Sequence, residues 1–242
     1  MTPARSIVVP CYNEAPNLPR LVERFGALRG GDDAWELVLV DNGSTDGSAE
    51  VLRRIADGPG MAWLRVVTVA PPNVGYGHGI VTGLRAARGS LLAWTHADGQ
   101  TPPADALRAL DLLAASPAPE RTFVKGRRRG RPWRDALFTA AMQAAARALL
   151  RVDLADINAQ PKAFHRALLE LAVDPPVDLS LDLYFFYLAT RRGFAVRTFD
   201  VRFGARSHGA SKWAFSWRSK ARAVARALRY MRALSRAGAA PG

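Results

Sequence analysis

The first hundred residues alternate between two periodicities. Residues 6–9 are a short β-branched run stopped by Pro10, and residues 35–40 are a second apolar run stopped by Asp41. Each is followed by apolar residues at three- and four-residue spacing, over 17–28 and 48–56, where Asp46 and Ser48 offer N-cap chemistry. Residues 63–69 read as a third strand, 79–88 as a third helix and 91–95 as a fourth strand. This β-α-β-α-β-α-β grammar predicts an α/β fold, a Rossmann-like, mostly parallel open sheet with helices on both faces. The later chain is less regular: a strand at 122–125, helices at 133–150 and 181–191, a strand at 195–202, and turns at Pro102-Pro103 and Pro175-Pro176. No repeat or low-complexity linker interrupts it, so one domain over 1–212 and a tail over 213–242 are expected.

Ligands of such sheets sit beyond the carboxyl ends of the strands. The loops there are 10–14, 41–46, 70–78 and 96–103, which place Glu14, Asp41, Asp46, Asp98 and Gln100 along one edge. Oxygen donors in such small number suit Mg²⁺ or Mn²⁺ bridging a substrate pyrophosphate better than a cage made of protein alone. An aspartate after a strand is more often a turn former. Several at one edge point to chemistry.

Charge sharpens the picture. The chain has 242 residues, 49% of them hydrophobic, one cysteine (Cys11) and a net charge of +13. An internal disulfide is excluded, and an anionic partner is expected. No signal-like segment and no uninterrupted apolar stretch of membrane-spanning length is present, which predicts a soluble or peripheral protein on the cytoplasmic face of a membrane. One basic cluster is Arg121, Lys125, Arg127, Arg128, Arg129, Arg131 and Arg134; from Arg206 onward there are nine Lys or Arg and no acidic residue. Within that tail Trp213, Trp217, Ala221, Val224, Leu228 and Met231 recur at helical spacing, beside a stripe of Arg218, Arg222, Arg226 and Arg229. This predicts a basic amphipathic helix on an anionic membrane surface, against the plainer alternative of a helix packed on the core. A nucleic-acid-binding module would explain the charge but not the acidic loops, so no nucleic acid is expected.

The segments VPCYNE (9–14), LVDNGSTDG (39–47), NVGYGHGIVTGL (73–84), HADGQTPP (96–103) and RSHGASKW (206–213) resemble, in this order, the family 2 glycosyltransferases of GT-A fold, and within them the branch of dolichol-phosphate mannose synthase and bacterial polyprenyl-phosphate enzymes. The resemblance implies an inverting transfer from a nucleotide-diphosphate sugar, with a divalent metal, to polyprenyl phosphate or another lipid-linked acceptor, or else to a saccharide or glycolipid hydroxyl. It implies that Pro10, Tyr12 and Glu14 line the nucleotide pocket, that Asp41 contacts base or ribose, and that the backbone at Ala97 approaches the donor. Asp98 and Gln100 match the metal and diphosphate ligands, Arg127 a basic residue near the donor phosphates, and Arg206 and Lys212 a closing phosphate clamp.

Two residues depart from the pattern: His96 stands where an acidic residue is usual, and Asn42 where an aspartate is common, although an amide can still bond a ribose. Asp182, in LSLDLYF, is the candidate base for a hydroxyl acceptor; a phosphate acceptor is already ionised and needs none. Gly75, Gly77 and Gly79 have the wrong spacing for a dinucleotide fingerprint, and PCYNE is not the glycine-rich, lysine-containing loop of a nucleotidyltransferase. His78, His165 and His208 lack zinc-ligand spacing, and Tyr184, Phe185, Phe186 and Tyr187 read as core.

Overall fold

The computed structural model describes residues 4–30, 35–130, 133–202 and 217–237. Seven strands, β1 (Arg5–Cys11), β2 (Trp35–Asn42), β3 (Leu64–Val69), β4 (Leu91–Trp94), β5 (Thr122–Arg129), β6 (Lys162–His165) and β7 (Ala195–Arg202), form one sheet in the order β3-β2-β1-β4-β6-β5-β7. β1 pairs in parallel with both β2 and β4, and β2 with β3; β6 runs antiparallel between β4 and β5, and β7 closes the far side parallel to β5. All eight residues of β2 are buried, as a strand covered on both faces requires.

One face of the sheet, carrying Ile7, Val9, Leu37, Leu39 and Ala93, packs on α1 (Leu18–Gly26), α2 (Ser48–Ala56) and α4 (Pro103–Ala114). α1 supplies Leu18, Leu21, Val22 and Phe25, the i, i+3, i+4, i+7 stripe of an amphipathic helix, each side chain contributing about 1.5–3 kcal/mol on burial. The opposite face carries α3 (Tyr76–Ala86) on β1 and β2, and α7 (Leu181–Arg191), whose Phe185 and Phe186 stack with Phe164 and Phe123. α3 lies so close that a Cβ on Gly83 would collide with the Val8 side chain.

The expected strands and helices are all present with small changes of boundary, and the mostly parallel open sheet stands. Among the described residues α4, β6, the short α6 (Arg166–Glu170) and a single 3₁₀ turn at Pro119–Arg121 went unpredicted. Pro103 is the first residue of α4 rather than part of a turn, a position where proline's missing N–H costs nothing. α7 buries every residue from Leu181 to Phe186, Asp182 included.

The chain forms two compact units. One comprises residues 1–129 and 159–208 and holds the sheet; the other comprises 130–158 and 209–242. Within the second, α5 (Trp133–Leu150) packs along α8 (Trp217–Ala237). Met231 of α8 is fully buried, Val224 and Leu228 are half-buried, and Arg226, Arg229, Arg232 and Arg236 are exposed. The expected boundary at residue 212 lies outside the described residues.

Candidate active site

β2 and β3 lie on one side of β1, and β4 lies on the other, so the chain reverses direction across the sheet at β1. A crevice opens beyond the carboxyl ends of strands at such a point. The loops after β1, β2 and β4 meet there.

The first two loops are stitched together by side chain to backbone bonds. The backbone N–H of Asn13, in the left-handed region at φ 54°, donates to Ser44 Oγ at 2.9 Å, and Asn13 Oδ1 accepts from the Thr45 N–H at 2.8 Å. The Glu14 N–H donates to Ser48 Oγ at 3.0 Å and the Ala15 N–H to Asp46 Oδ2 at 3.1 Å. Asp46 Oδ1 also accepts from the Ser48 N–H and hydroxyl. Burial opposes ionisation of Asp46, but these donors outweigh it and hold its carboxyl below the usual range. Asp46 is therefore the rivet of the two loops. Glu14 accepts from Asn17 Nδ2 at 2.6 Å, and its carbonyl oxygen accepts from the Asn17 and Leu18 N–H groups where α1 begins. Tyr12 stands out at 39% exposure, while Asp41 and Asn42 are buried. Asp41 Oδ1 accepts from the Ser44 N–H at 3.1 Å, and Asn42 Nδ2 donates to the Gly75 carbonyl at 2.8 Å. Pro10 is half-buried one residue before β1 ends at Cys11, and burial pushes the Cys11 thiol far up, so it is inert packing.

After β4, the Thr95 N–H still bonds the Val8 carbonyl at 3.1 Å, and the chain then turns. Asp98 Oδ1 accepts from the Gln100 N–H at 3.1 Å, the self-bonded turn typical of aspartate. Ala97 is buried, whereas His96, Asp98 and Gln100 are half-exposed. Asp98 shares a shallow cleft with Arg20 and Arg24 of α1. Among the described residues no three His, Cys, Asp or Glu side chains form a closed metal cage. One carboxylate, one carboxamide and one imidazole on a single loop instead suit an ion that completes its shell with substrate phosphate oxygens.

Behind this loop lies a buried polar network. Gln160 Nε2 donates to the Tyr76 hydroxyl at 3.1 Å and to Asp182 Oδ1 at 2.8 Å, and Lys162 Nζ pairs with Asp182 and donates to the Ala159 carbonyl at 3.1 Å. The Lys162 ammonium also sits 5.4 Å from the centre of the Trp94 ring. Burial first, and then the Asp182 charge, push the Tyr76 hydroxyl well up, so it stays protonated.

The model of glycosyl transferase family 2 matches residues 6–172 of this chain. The chain belongs to that family. It is 31% identical over 213 residues to an undecaprenyl-phosphate 4-deoxy-4-formamido-L-arabinose transferase of Pseudomonas paraeruginosa, covering 86% of this chain and 60% of the relative. The Pseudomonas aeruginosa (strain LESB58) counterpart is 32% identical over 218 residues with the same coverage, so the chain spans about 60% of the length of these relatives. Among solved structures it is similar to glucosyl-3-phosphoglycerate synthase from Mycobacterium tuberculosis in complex with Mn²⁺, UDP and glucosyl-3-phosphoglycerate, with TM-score 0.71, 21% identity and coverage of 98% of this chain and 80% of that one. It is also similar to a mannosyltransferase from Pyrobaculum calidifontis in complex with GDP-Man and Mn²⁺, with TM-score 0.64, 24% identity and coverage of 100% and 77%. These likenesses bear out the expected GT-A fold.

Of the family 2 site residues expected from sequence, Pro10, Tyr12, Glu14, Asp41, Asn42, Ala97, Asp98 and Gln100 lie on the three convergent loops or the strand ends that feed them. Arg127 lies at the same edge, because β5 runs parallel to β4 through β6, with Lys125 level with Trp94. Its guanidinium pairs with Asp200 of β7 at 2.7 Å, and Arg129 pairs with the same carboxylate, holding Asp200 below the usual range. Asp182 is in the buried network rather than on a helix surface. Arg206 and Lys212 lie outside the described residues. Sequence reasoning passed over Tyr76, Gln160 and Lys162; the available signal was a lysine beside the apolar residues of β6 and an aspartate in the apolar run of α7, each of which needs a partner once buried.

Proposed function

We propose that this chain is an inverting glycosyltransferase that moves a sugar from a nucleotide-diphosphate donor, with Mg²⁺ or Mn²⁺, onto polyprenyl phosphate at the cytoplasmic face of a membrane. The observation that carries the reading is the meeting of the β1, β2 and β4 loops at the switch point, with the Asp98 carboxylate on the rim. The likeness to undecaprenyl-phosphate transferases supports the acceptor.

In this reading Pro10, Tyr12, Glu14, Asp41, Asn42 and Ala97 form the nucleoside side of the site, and Asp98 and Gln100 hold the metal. An ion held there would supply positive charge against the negative charge of the departing diphosphate. Arg127, Arg206 and Lys212 are the fixed cations for the same charge and for the acceptor phosphate. Pre-set positive groups act most where negative charge develops in the transition state. A phosphate acceptor brings its own nucleophilic oxygen. Asp182 supports that choice, because its carboxylate is already committed to Lys162 and Gln160, and a hydroxyl acceptor would have to free it first.

The membrane part rests on α8. With Met231 buried and Val224 and Leu228 half-buried, the described residues left to solvent include Arg226, Arg229, Arg232 and Arg236, and each such residue contributes about 1 kcal/mol near an anionic leaflet. Among the described residues no helix is long and apolar enough to cross a membrane.

The test is a panel of nucleotide sugars with and without Mn²⁺ and polyprenyl phosphate, following nucleotide release. Release that needs both metal and polyprenyl phosphate is the expected result. Release with saccharide acceptors alone moves the assignment to a hydroxyl acceptor, and silence across the panel overturns the enzyme. Flotation with phosphatidylserine vesicles, lost when the four arginines become glutamine, checks the membrane contact.

A further inference from the structure

Tyr76 opens α3, and its ring stacks on the His96 imidazole with centroids 5.5 Å apart and planes 27° from parallel. The tyrosine is held from two sides. The carbonyl of Gly75 just before it accepts from Asn42 Nδ2, and its hydroxyl accepts from Gln160, which also bonds Asp182. Gly75 itself, at φ 146°, could not carry a Cβ without colliding with the Val177 carbonyl oxygen, and the His78 N–H donates to that same oxygen at 3.0 Å. The ring that meets His96 is therefore fixed by backbone and by a buried ion-paired network. On the loop, His96 and Asp98 are half-exposed on either side of buried Ala97, so both reach the surface at the rim.

Resting on the donor-site reading above, we infer that His96 is a nitrogen ligand of the divalent ion whose carboxylate ligand is Asp98, and that Tyr76 is its positioning residue. His96 stands where the resemblance leads one to expect a carboxylate. Imidazole is a poor partner for Mg²⁺, which asks for oxygen donors in a strict octahedron, and a better one for a transition-metal ion. The chain then prefers Mn²⁺ over Mg²⁺ more strongly than a two-carboxylate site would. Partners that orient a ligand typically carry about 10–100-fold in metal affinity, and Tyr76 fills that place by stacking.

Mn²⁺ and Mg²⁺ binding to the full chain in the presence of UDP or GDP, measured by calorimetry, tests this, together with ¹⁴N modulation of the bound Mn²⁺ electron spin echo. Wild type is expected to show imidazole modulation that disappears in His96→Asp, with the Mn²⁺ to Mg²⁺ affinity ratio falling about tenfold as the nitrogen ligand is lost. Tyr76→Ala is expected to weaken Mn²⁺ about tenfold, whereas Tyr76→Phe, which keeps the ring, stays within about twofold. Nucleotide-dependent Mn²⁺ binding without the modulation overturns the role of His96 and leaves the donor site standing. Equal Mn²⁺ affinity in folded Tyr76→Ala and wild type overturns the role of Tyr76. Absence of nucleotide-dependent Mn²⁺ binding in wild type overturns the donor-site reading itself.

Discussion

The two edges of the central sheet are both rich in polar groups, yet they use them in opposite ways. At the amino edge, Glu36 is 1% exposed and fully engaged: it accepts from Ser6 Oγ at 2.8 Å, from the Arg88 backbone at 2.5 Å and from Arg88 Nε at 3.0 Å, with Arg65 3.6 Å away. Ser6 Oγ in turn accepts from the Gly89 N–H, and Arg166 ties down the carbonyls of Ala87 and Gly89. That edge is closed. At the carboxyl edge the loops are braced from behind by Asp46, Gln160 and the Lys162–Asp182 pair, while Tyr12, His96 and Asp98 remain in contact with water. A buried carboxylate therefore does not by itself mark a site. What marks it is a rigid polar support with partly wetted groups in front.

The comparison can be broken by substitution. The largest effect is expected at the wetted rim, where Asp98→Ala should lower turnover about 10²–10³-fold while leaving the urea midpoint near wild type. Next comes the support: Asp182→Asn strands a buried ammonium and should cost about 3 kcal/mol in chemical denaturation, much of it recovered when Lys162→Met is added. An activity loss in Asp182→Asn beyond its loss of folded protein would instead make that carboxylate a base. Glu36→Gln should cost about 2 kcal/mol of stability and leave turnover per folded molecule unchanged, since nothing at the amino edge meets the rim.

The parts legible in sequence were those with a local cause. Short apolar runs and period-3.6 stripes located the first four strands and three helices, because β1 and β2 are buried on both faces and each helix turns one stripe to the sheet, and Pro10 and Asp41 marked two strand ends to within one residue. The convergence of the loops followed from parallel topology, which the alternation implied. β6 was missed because four residues carrying Lys162 look like neither a strand nor a helix until α7 brings Asp182 to them. Tyr76 was missed for the same reason: its partners His96 and Gln160 lie 20 and 84 residues away, and only the fold joins them. Asp46 looked like part of the acidic site because one-dimensional spacing does not distinguish a ligand from a loop rivet.

The smallest expected effect concerns pH and again separates the two edges. Burial pushes the Glu36 carboxyl up, but the bonds from the Arg88 backbone, Ser6 and the Arg88 side chain outweigh it, and the net position is below the ordinary carboxylate value. A carboxyl depressed on folding binds fewer protons in the native state than in the unfolded chain, so its stabilisation is complete above the unfolded value, about 4.3 for glutamate. It fades as pH falls from there through the lower folded value. Urea titrations should therefore show wild type and Glu36→Gln separated by a constant gap between pH 8 and pH 5, on the order of 2 kcal/mol, closing as the pH drops below about 4. A gap that persists unchanged into that acid range would mean that Glu36 acts through its shape and neutral hydrogen bonds, and that the amino edge is held by packing rather than by charge.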